Sequence, residues 1–249
     1  MIISYPNGHR WRKPVIADPL QHFGKSNRAR VRSTLNRVHE YDVKFAIEEL
    51  SADFFTWFKP LYESHIGAMQ NGKIYDIEGT TLYKENSDKK YYSITLYEKD
   101  RPTGGTIFSC LEDMLSFAYR VYGHDWVEAK LPASPSFYME YITSKYAYDI
   151  GLKTISHGKD RNPYGLNSAI GLGMFKLSVG CKPLLPKKYE ISTIDTDQIQ
   201  TDALIFEMPN RDDVEIKKAY LVAKEANLPK YLQLLKYDDF LKIETILRQ

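Results

Sequence analysis

Apolar positions along this chain change their spacing several times, and each change marks an element. From Arg28 onward, Val31, Leu35 and Val38 recur at the i, i+4, i+7 interval of one helix face. Ser26 and Asn27 carry side-chain oxygens able to cap that helix. Val43-Lys44-Phe45-Ala46-Ile47 then alternates as a strand does. Ser51 opens a second helix, whose Phe54, Phe55, Trp57, Phe58, Leu61, Tyr62 and His65 are too aromatic for a solvent face and predict packing on a sheet. The middle of the chain predicts an antiparallel meander. Tyr91–Tyr97, Gly104–Cys110 and Met114–Tyr122 are strand-like runs joined by the polar turns Lys99-Asp100-Arg101-Pro102 and Glu112-Asp113.

The helical period then returns. Ser134-Pro135 is a good N-cap and first-position pair, since proline lacks only an amide hydrogen that the first turn leaves unpaired. That helix runs from Pro135 to Ile150 and stops at Gly151. Leu152–Ser156 is a short strand, Gly158–Gly165 a polar loop, and Leu166–Val179 a helix ended by Gly180. Ala203–Met208 reads as a strand closed by Pro209-Asn210, and residues 212–247 as helical, broken at Pro229. Residues 1–24, with Pro6, Pro14 and Pro19 and no clear period, read as an extended arm on the surface. The expected organisation is an arm at 1–24, a domain at 25–190, and an extension at 191–249 packed on its core. The class is α+β, or mixed α/β: a central, largely antiparallel sheet with helices on both faces.

Composition bounds this picture without changing it. The 249 residues are 43% hydrophobic and 27% charged, an ordinary globular balance with chain enough for a core that needs no metal or disulfide staples. No run of about 18 apolar residues occurs, so no membrane span is expected. Met1–Pro6 is followed by Asn7, His9, Arg10, Arg12 and Lys13, where a signal peptide would continue apolar, so the expected location is cytoplasmic. Cys110 and Cys181 lack CxxC or Cys/His spacing and read as reduced thiols, and no metal site is expected. The net charge of +2 gives little steering, yet Lys25, Arg28, Arg30, Arg32 and Arg37 crowd one helix with no acid among them. One reading of that cluster is phosphate contact, and the other a solvated face.

A helix, a meander and then helix–strand–helix is an order of elements that resembles GNAT acyltransferases, and local sequence sharpens the resemblance. Ser134 to Pro183 is similar to the signature half of Fem-type transferases and their single-domain GNAT relatives. It contains an aromatic-rich helix, Gly151, a strand leading to His157-Gly158, and the segment Phe175-Lys176-x-x-x-Gly180-x-x-Pro183. Ser26–Arg32 resembles the basic helix found early in those proteins, so the resemblance covers residues 25 to 185. It implies a GNAT-like fold and N-acyl transfer from a thioester or ester donor, such as acyl-CoA, to an amine of a small molecule or cell-envelope precursor. Two alternatives stay open: a Fem-type transferase using aminoacyl-tRNA, and a GNAT-like binding module without catalysis.

N-acyl transfer requires a held donor, a neutral amine, oxyanion stabilisation and a proton path. The resemblance makes Lys176 the leading catalytic candidate, as a cation beside phosphate or the developing oxyanion. His157 is placed as a proton shuttle, and Glu140 and Tyr138 as groups that orient the amine. Arg120, Arg161, Tyr164, Asn167 and Phe175 are candidate substrate contacts. Tyr122, Gly123, Ser134 and Ser136 are candidate donor contacts, because a helix N-terminus favours anions. The loop Arg120-Val121-Tyr122-Gly123-His124-Asp125 departs from the usual coenzyme A loop, having Asp125 where a small residue belongs. Function further requires the strands ending near Tyr122 and His157 to splay beside Pro135.

Overall fold

The structure is a computed structural model that describes residues 1–69, 72–84, 88–123, 131–161, 170–210, 212–234 and 240–248. Its strands and helices in chain order are β1 (Ile2–Pro6), β2 (Gly8–Pro14), α1 (Lys25–Arg37), β3 (Val43–Glu49), α2 (Ala52–Gly67), α3 (Ile77–Thr81), β4 (Lys90–Glu98), β5 (Arg101–Leu111) and β6 (Met114–Tyr122). They continue as α4 (Pro135–Asp149), β7 (Thr154–Arg161), α5 (Ile170–Ser178), β8 (Lys182–Leu184), β9 (Ile191–Asp195), β10 (Ala203–Phe206), β11 (Lys218–Ala223), α6 (Leu228–Leu234) and β12 (Lys242–Leu247). The chain forms two compact units: residues Pro14–Ser156, and residues Met1–Lys13 with His157–Gln249.

In the Pro14–Ser156 unit the sheet runs β3-β4-β5-β6, each pair antiparallel, as the meander requires. The first residues of β7 add a parallel edge, where Met114, Leu115 and Ser116 pair with Thr154, Ile155 and Ser156. Alternation along the strands sends apolar side chains to both faces. Ile94, Leu96, Phe108 and Leu115 meet Tyr138, Met139 and Ile142 of α4, with Leu35 of α1 alongside. Ile107 and Val121 instead meet Phe54, Phe55, Phe58 and Tyr62 of α2. Helices therefore cover both faces of the sheet. Gly105 on β5 makes the second contact possible: a Cβ there would lie 2.8 Å from the Ile94 carbonyl oxygen and 2.8 Å from Trp57 Cη2.

Helix α1 begins at Lys25, with Gly24 as its N-cap and no side-chain cap bond, so Ser26 and Asn27 sit inside the first turn rather than capping it. Arg28 explains the shift. Its guanidinium folds back to donate to the carbonyls of Leu20 and Phe23 at 2.9–3.3 Å, tying the helix start to the preceding turn. Farther along, buried Thr34 accepts the Ala133 amide at 2.9 Å, fixing α1 beside the approach to α4.

In the other unit β1 pairs antiparallel with β9, and β11 lies between antiparallel β10 and parallel β12. Ile3, Ile199, Ile205, Tyr220 and Val222 form its core. The part of β7 from His157 neighbours β2, which pairs in turn with β8.

Three expectations change. The first residues do not form a surface arm: they are strands, and Trp11 and Lys13 are buried. Pro6 and Pro14 close β1 and β2, where a missing amide costs no ladder bond. The polar run after Gly158 continues β7 to Arg161. The segment 212–247, expected to be helical, supplies strands on either side of the short α6. Lys218–Ala223 is a central strand covered on both sides, so its apolar run lacks the alternation that separates strand from helix. No helix among the described residues is long and apolar enough to cross a membrane.

Candidate functional site

The signature helix α5 carries Lys176 on its last turn, and the ammonium is buried, with 6% of the residue exposed. An unpaired charge at that depth would cost several kcal/mol, so its surroundings decide whether it can persist. Asp160 on β7 accepts from Lys176 Nζ at 2.7 Å. The same Asp160 Oδ2 accepts the Trp11 indole N–H at 2.6 Å. The ammonium also lies 5.7 Å from the centroid of the Trp11 ring, a cation–π distance. A lysine offers three N–H groups, and Asp160 is its one hydrogen-bond acceptor among the described residues. The site thus holds a positioned cation with donor capacity to spare.

His9 on β2 completes this cluster. Its ring packs on Trp11 at 4.8 Å and on Phe206 at 4.6 Å between centroids. Neither ring nitrogen has a hydrogen-bond partner among the described residues. Burial is the chief cause that lowers its pKa to about 4. Asp160 opposes that shift, while Lys176 adds to it. His9 is therefore neutral at physiological pH. Two positions on, Lys13 donates to the Val179 carbonyl at 3.2 Å, just past the end of α5. None of His9, Trp11 or Lys13 was a sequence candidate. The signal was present in Gly8–Pro14, where His9, Trp11 and Lys13 point inward and alternate with Arg10 and Arg12.

A second polar centre lies within the Pro14–Ser156 unit. Glu140 on α4 has no exposed surface, and Arg120 on β6 donates to its Oε2 at 2.8 Å. Arg120 also donates to Thr106 Oγ1 at 3.2 Å and to the Ser136 carbonyl at 3.4 Å, with its guanidinium 4.4 Å from the Phe117 centroid. Two residues singled out for different roles are thus each other's partners. Tyr138, also on α4, is buried in the hydrophobic core, and desolvation pushes its phenol up to about 12, so it stays protonated and serves as a donor rather than a base.

The other candidates are placed as follows. His157 is half-buried within β7 rather than at its end, and Phe175 is half-buried on α5 beside Lys176. Arg161, the last residue of β7, is exposed. Tyr122 ends β6 with its ring 5.7 Å from that of His65. The Gly123 amide is committed to the Thr103 carbonyl at 2.7 Å. Ser134 is the N-cap of α4, but through its carbonyl, which accepts from the Phe137 and Tyr138 amides at 3.1 Å. Ser136 lies on the first turn of α4. Tyr164, Asn167, His124 and Asp125 lie outside the described residues. A cavity of ≈ 190 Å³ is lined by Tyr75, Thr80, Thr81, Tyr91, Ala118 and Tyr119, none of them a candidate. Among the described residues no group of His, Cys, Asp and Glu could hold a metal.

No protein-family model matches the sequence, and no curated protein matches it. Solved structures do. A crystal structure of FemX superposes with a TM-score of 0.52 at 16% identity, covering 70% of this chain and 59% of that one. L-PGS from Bacillus licheniformis gives 0.44 at 14% identity, covering 68% and 50%. An aminoglycoside acetyltransferase from an uncultured soil metagenomic sample gives 0.33 at 16% identity, covering 46% and 75%. The chain spans 59% of the length of FemX and shares its fold, so the GNAT-like resemblance read from the sequence holds at the level of the fold.

Proposed function

We propose that this chain is a GNAT-type transferase that moves an acyl or aminoacyl group from a thioester or ester donor onto an amine. The observation that carries the proposal is the buried Lys176 ammonium, held by Asp160 and Trp11 at the end of the signature helix with donor capacity left over. A structural lysine would be expected to saturate its N–H groups or reach solvent.

In the proposed step a neutral amine attacks the donor carbonyl. The C–N bond forms, an oxyanion develops, and its collapse breaks the bond to the thiolate or alkoxide leaving group. The amine's proton passes to solvent or to the departing group, with His157 as the candidate carrier. Lys176 donates to the oxyanion or to a donor phosphate, and Asp160 and Trp11 hold it in place. Arg120 and Glu140 act together as a strut that fixes α4 on β6, and buried Tyr138 remains a hydrogen-bond donor. Acyl-CoA is the co-substrate to test first, and Ser134 and Ser136 at the opening of α4 remain candidate donor contacts.

Thermal shifts with coenzyme A, acetyl-CoA and longer acyl-CoAs, beside filter binding of aminoacyl-tRNA, separate the two donor classes. Transfer of a labelled acyl group to a panel of amines then measures turnover. Lys176→Ala should lower turnover at least about tenfold, the scale of losing one charge-stabilising donor. An unchanged rate in that variant defeats the assignment, and absence of transfer from either donor class defeats the function.

A further inference from the structure

Strand β3 is the first strand of its sheet and, among the described residues, pairs on one side only, with β4. The register shows which of its backbone groups are left over. Antiparallel pairing alternates hydrogen-bonded and non-hydrogen-bonded positions. The Lys99 amide donates to the Asp42 carbonyl at 3.2 Å and the Leu50 amide to the Tyr91 carbonyl at 3.0 Å, one at each end of the β3–β4 register. Even-numbered residues of β3 therefore bond to β4. The N–H and C=O groups of Val43, Phe45, Ile47 and Glu49 face outward, with no hydrogen-bond partner among the described residues. Along this edge Phe45 is 48% exposed, Lys44, Glu48 and Glu49 are exposed and Ile47 is half-buried, whereas Val43 at its start is buried.

We propose that this edge pairs with β3 of a second copy of the chain, antiparallel and centred on Ala46, to form a two-fold dimer. Only odd residues offer free backbone groups, so registers that match odd with even are excluded. Charge selects among the rest. Centred on Phe45, the strands would set Asp42 against Glu48; centred on Ile47, they would leave Lys44 opposite no acid. Centred on Ala46, Lys44 faces Glu48 twice. Those contacts fall at the non-hydrogen-bonded positions, where opposed side chains come closest. The bonded pairs are then Phe45 with Ile47 and Val43 with Glu49, which cover the exposed Phe45 ring. Charged residues usually guard an edge by repelling its copies, whereas this pattern attracts its own. Lys44 is already within 2.9 Å of Asp42 and 3.4 Å of Asp100, but all three are exposed and such pairs exchange at little cost. An isologous contact of this kind closes on itself and does not propagate.

The test is sedimentation of the full chain over a range of micromolar concentrations. Wild type should form a dimer, and Glu48→Lys and Lys44→Glu should each associate at least about tenfold more weakly, because each sets like charges face to face twice. Mixing the two variants should restore a heterodimer, since the acidic copy then opposes the basic one at both contacts. In wild type, exchange of the Val43, Phe45, Ile47 and Glu49 amides should slow as concentration rises, which reads the edge even where a variant folds poorly. A monomeric wild type, a Glu48→Lys dimer of unchanged strength, a mixture that stays monomeric, or edge amides indifferent to concentration overturns the proposal.

Discussion

Replacing Glu140 with leucine isolates the energy stored between α4 and β6. The carboxylate has no exposed surface and Arg120 only 15% side-chain exposure, so the variant strands a guanidinium where water reaches it poorly. Breaking a buried pair from one side costs about 3–5 kcal/mol. Arg120 keeps Thr106 Oγ1 and the Ser136 carbonyl, which places the loss at the lower end, about 3 kcal/mol. For a chain of this size each kcal/mol moves Tm by roughly 2–4 °C, so scanning calorimetry should show a fall of roughly 6–12 °C. Arg120→Met with Glu140→Leu removes both charges and replaces them with apolar volume. Because a buried pair often breaks even against such a replacement, the double variant should recover to within about 1 kcal/mol of wild type. A single variant within about 1 kcal/mol of wild type, or a double variant no better than the single, would falsify the account of this pair as a strut.

Stability should depend on pH through His9. Its pKa is about 4 when folded and near the ordinary 6.5 when unfolded, so the unfolded chain binds the extra proton between those values. The contribution is complete above 6.5 and is lost as pH falls towards 4, about 3 kcal/mol in all. Denaturant titrations should show this slope, and His9→Leu should flatten it; an equal slope in both proteins rejects the assignment. Gly105→Ala should destabilise by about 1–3 kcal/mol, because its methyl meets a backbone carbonyl and Trp57. Gly171→Ala, on α5 with nothing within 4 Å of the new methyl, should be neutral or stabilising, and matching Tm values for the two variants would contradict the close approach of α2 to β5.

The sequence was most readable where each element showed one buried and one open side. Strands β4, β5 and β6 alternate, α2 carries its aromatic face, and α4 opens at Ser134-Pro135 and ends near Gly151, so the core of the Pro14–Ser156 unit followed from spacing alone. Elements covered on both sides gave no such contrast: after Lys218, the run Ala219–Ala223 is buried at every position, and its spacing does not separate strand from helix. In the first residues the prolines masked a strand they merely terminate. The site divided in the same way. Lys176 stood out through its motif, whereas Asp160, Trp11 and His9 are separated from it in sequence and become neighbours through β2 and β7, a pairing that local periodicity cannot encode. Arg120 and Glu140 were both noticed, but twenty residues apart on a strand and a helix, nothing local marked them as a couple.

One of the two units is discontinuous, since it needs Met1–Lys13 together with residues from His157 onward. During synthesis the first strands leave the ribosome well before β7, β8 and β9 exist. At about 5–20 residues per second the intervening segment takes on the order of ten seconds to appear. Throughout that wait the nascent chain carries Trp11, Ile3 and an unpaired strand edge into the cell, while the continuous unit can already close. This places the burden of chaperone protection on the amino-terminal strands and makes the burial of Trp11 a late event in biogenesis.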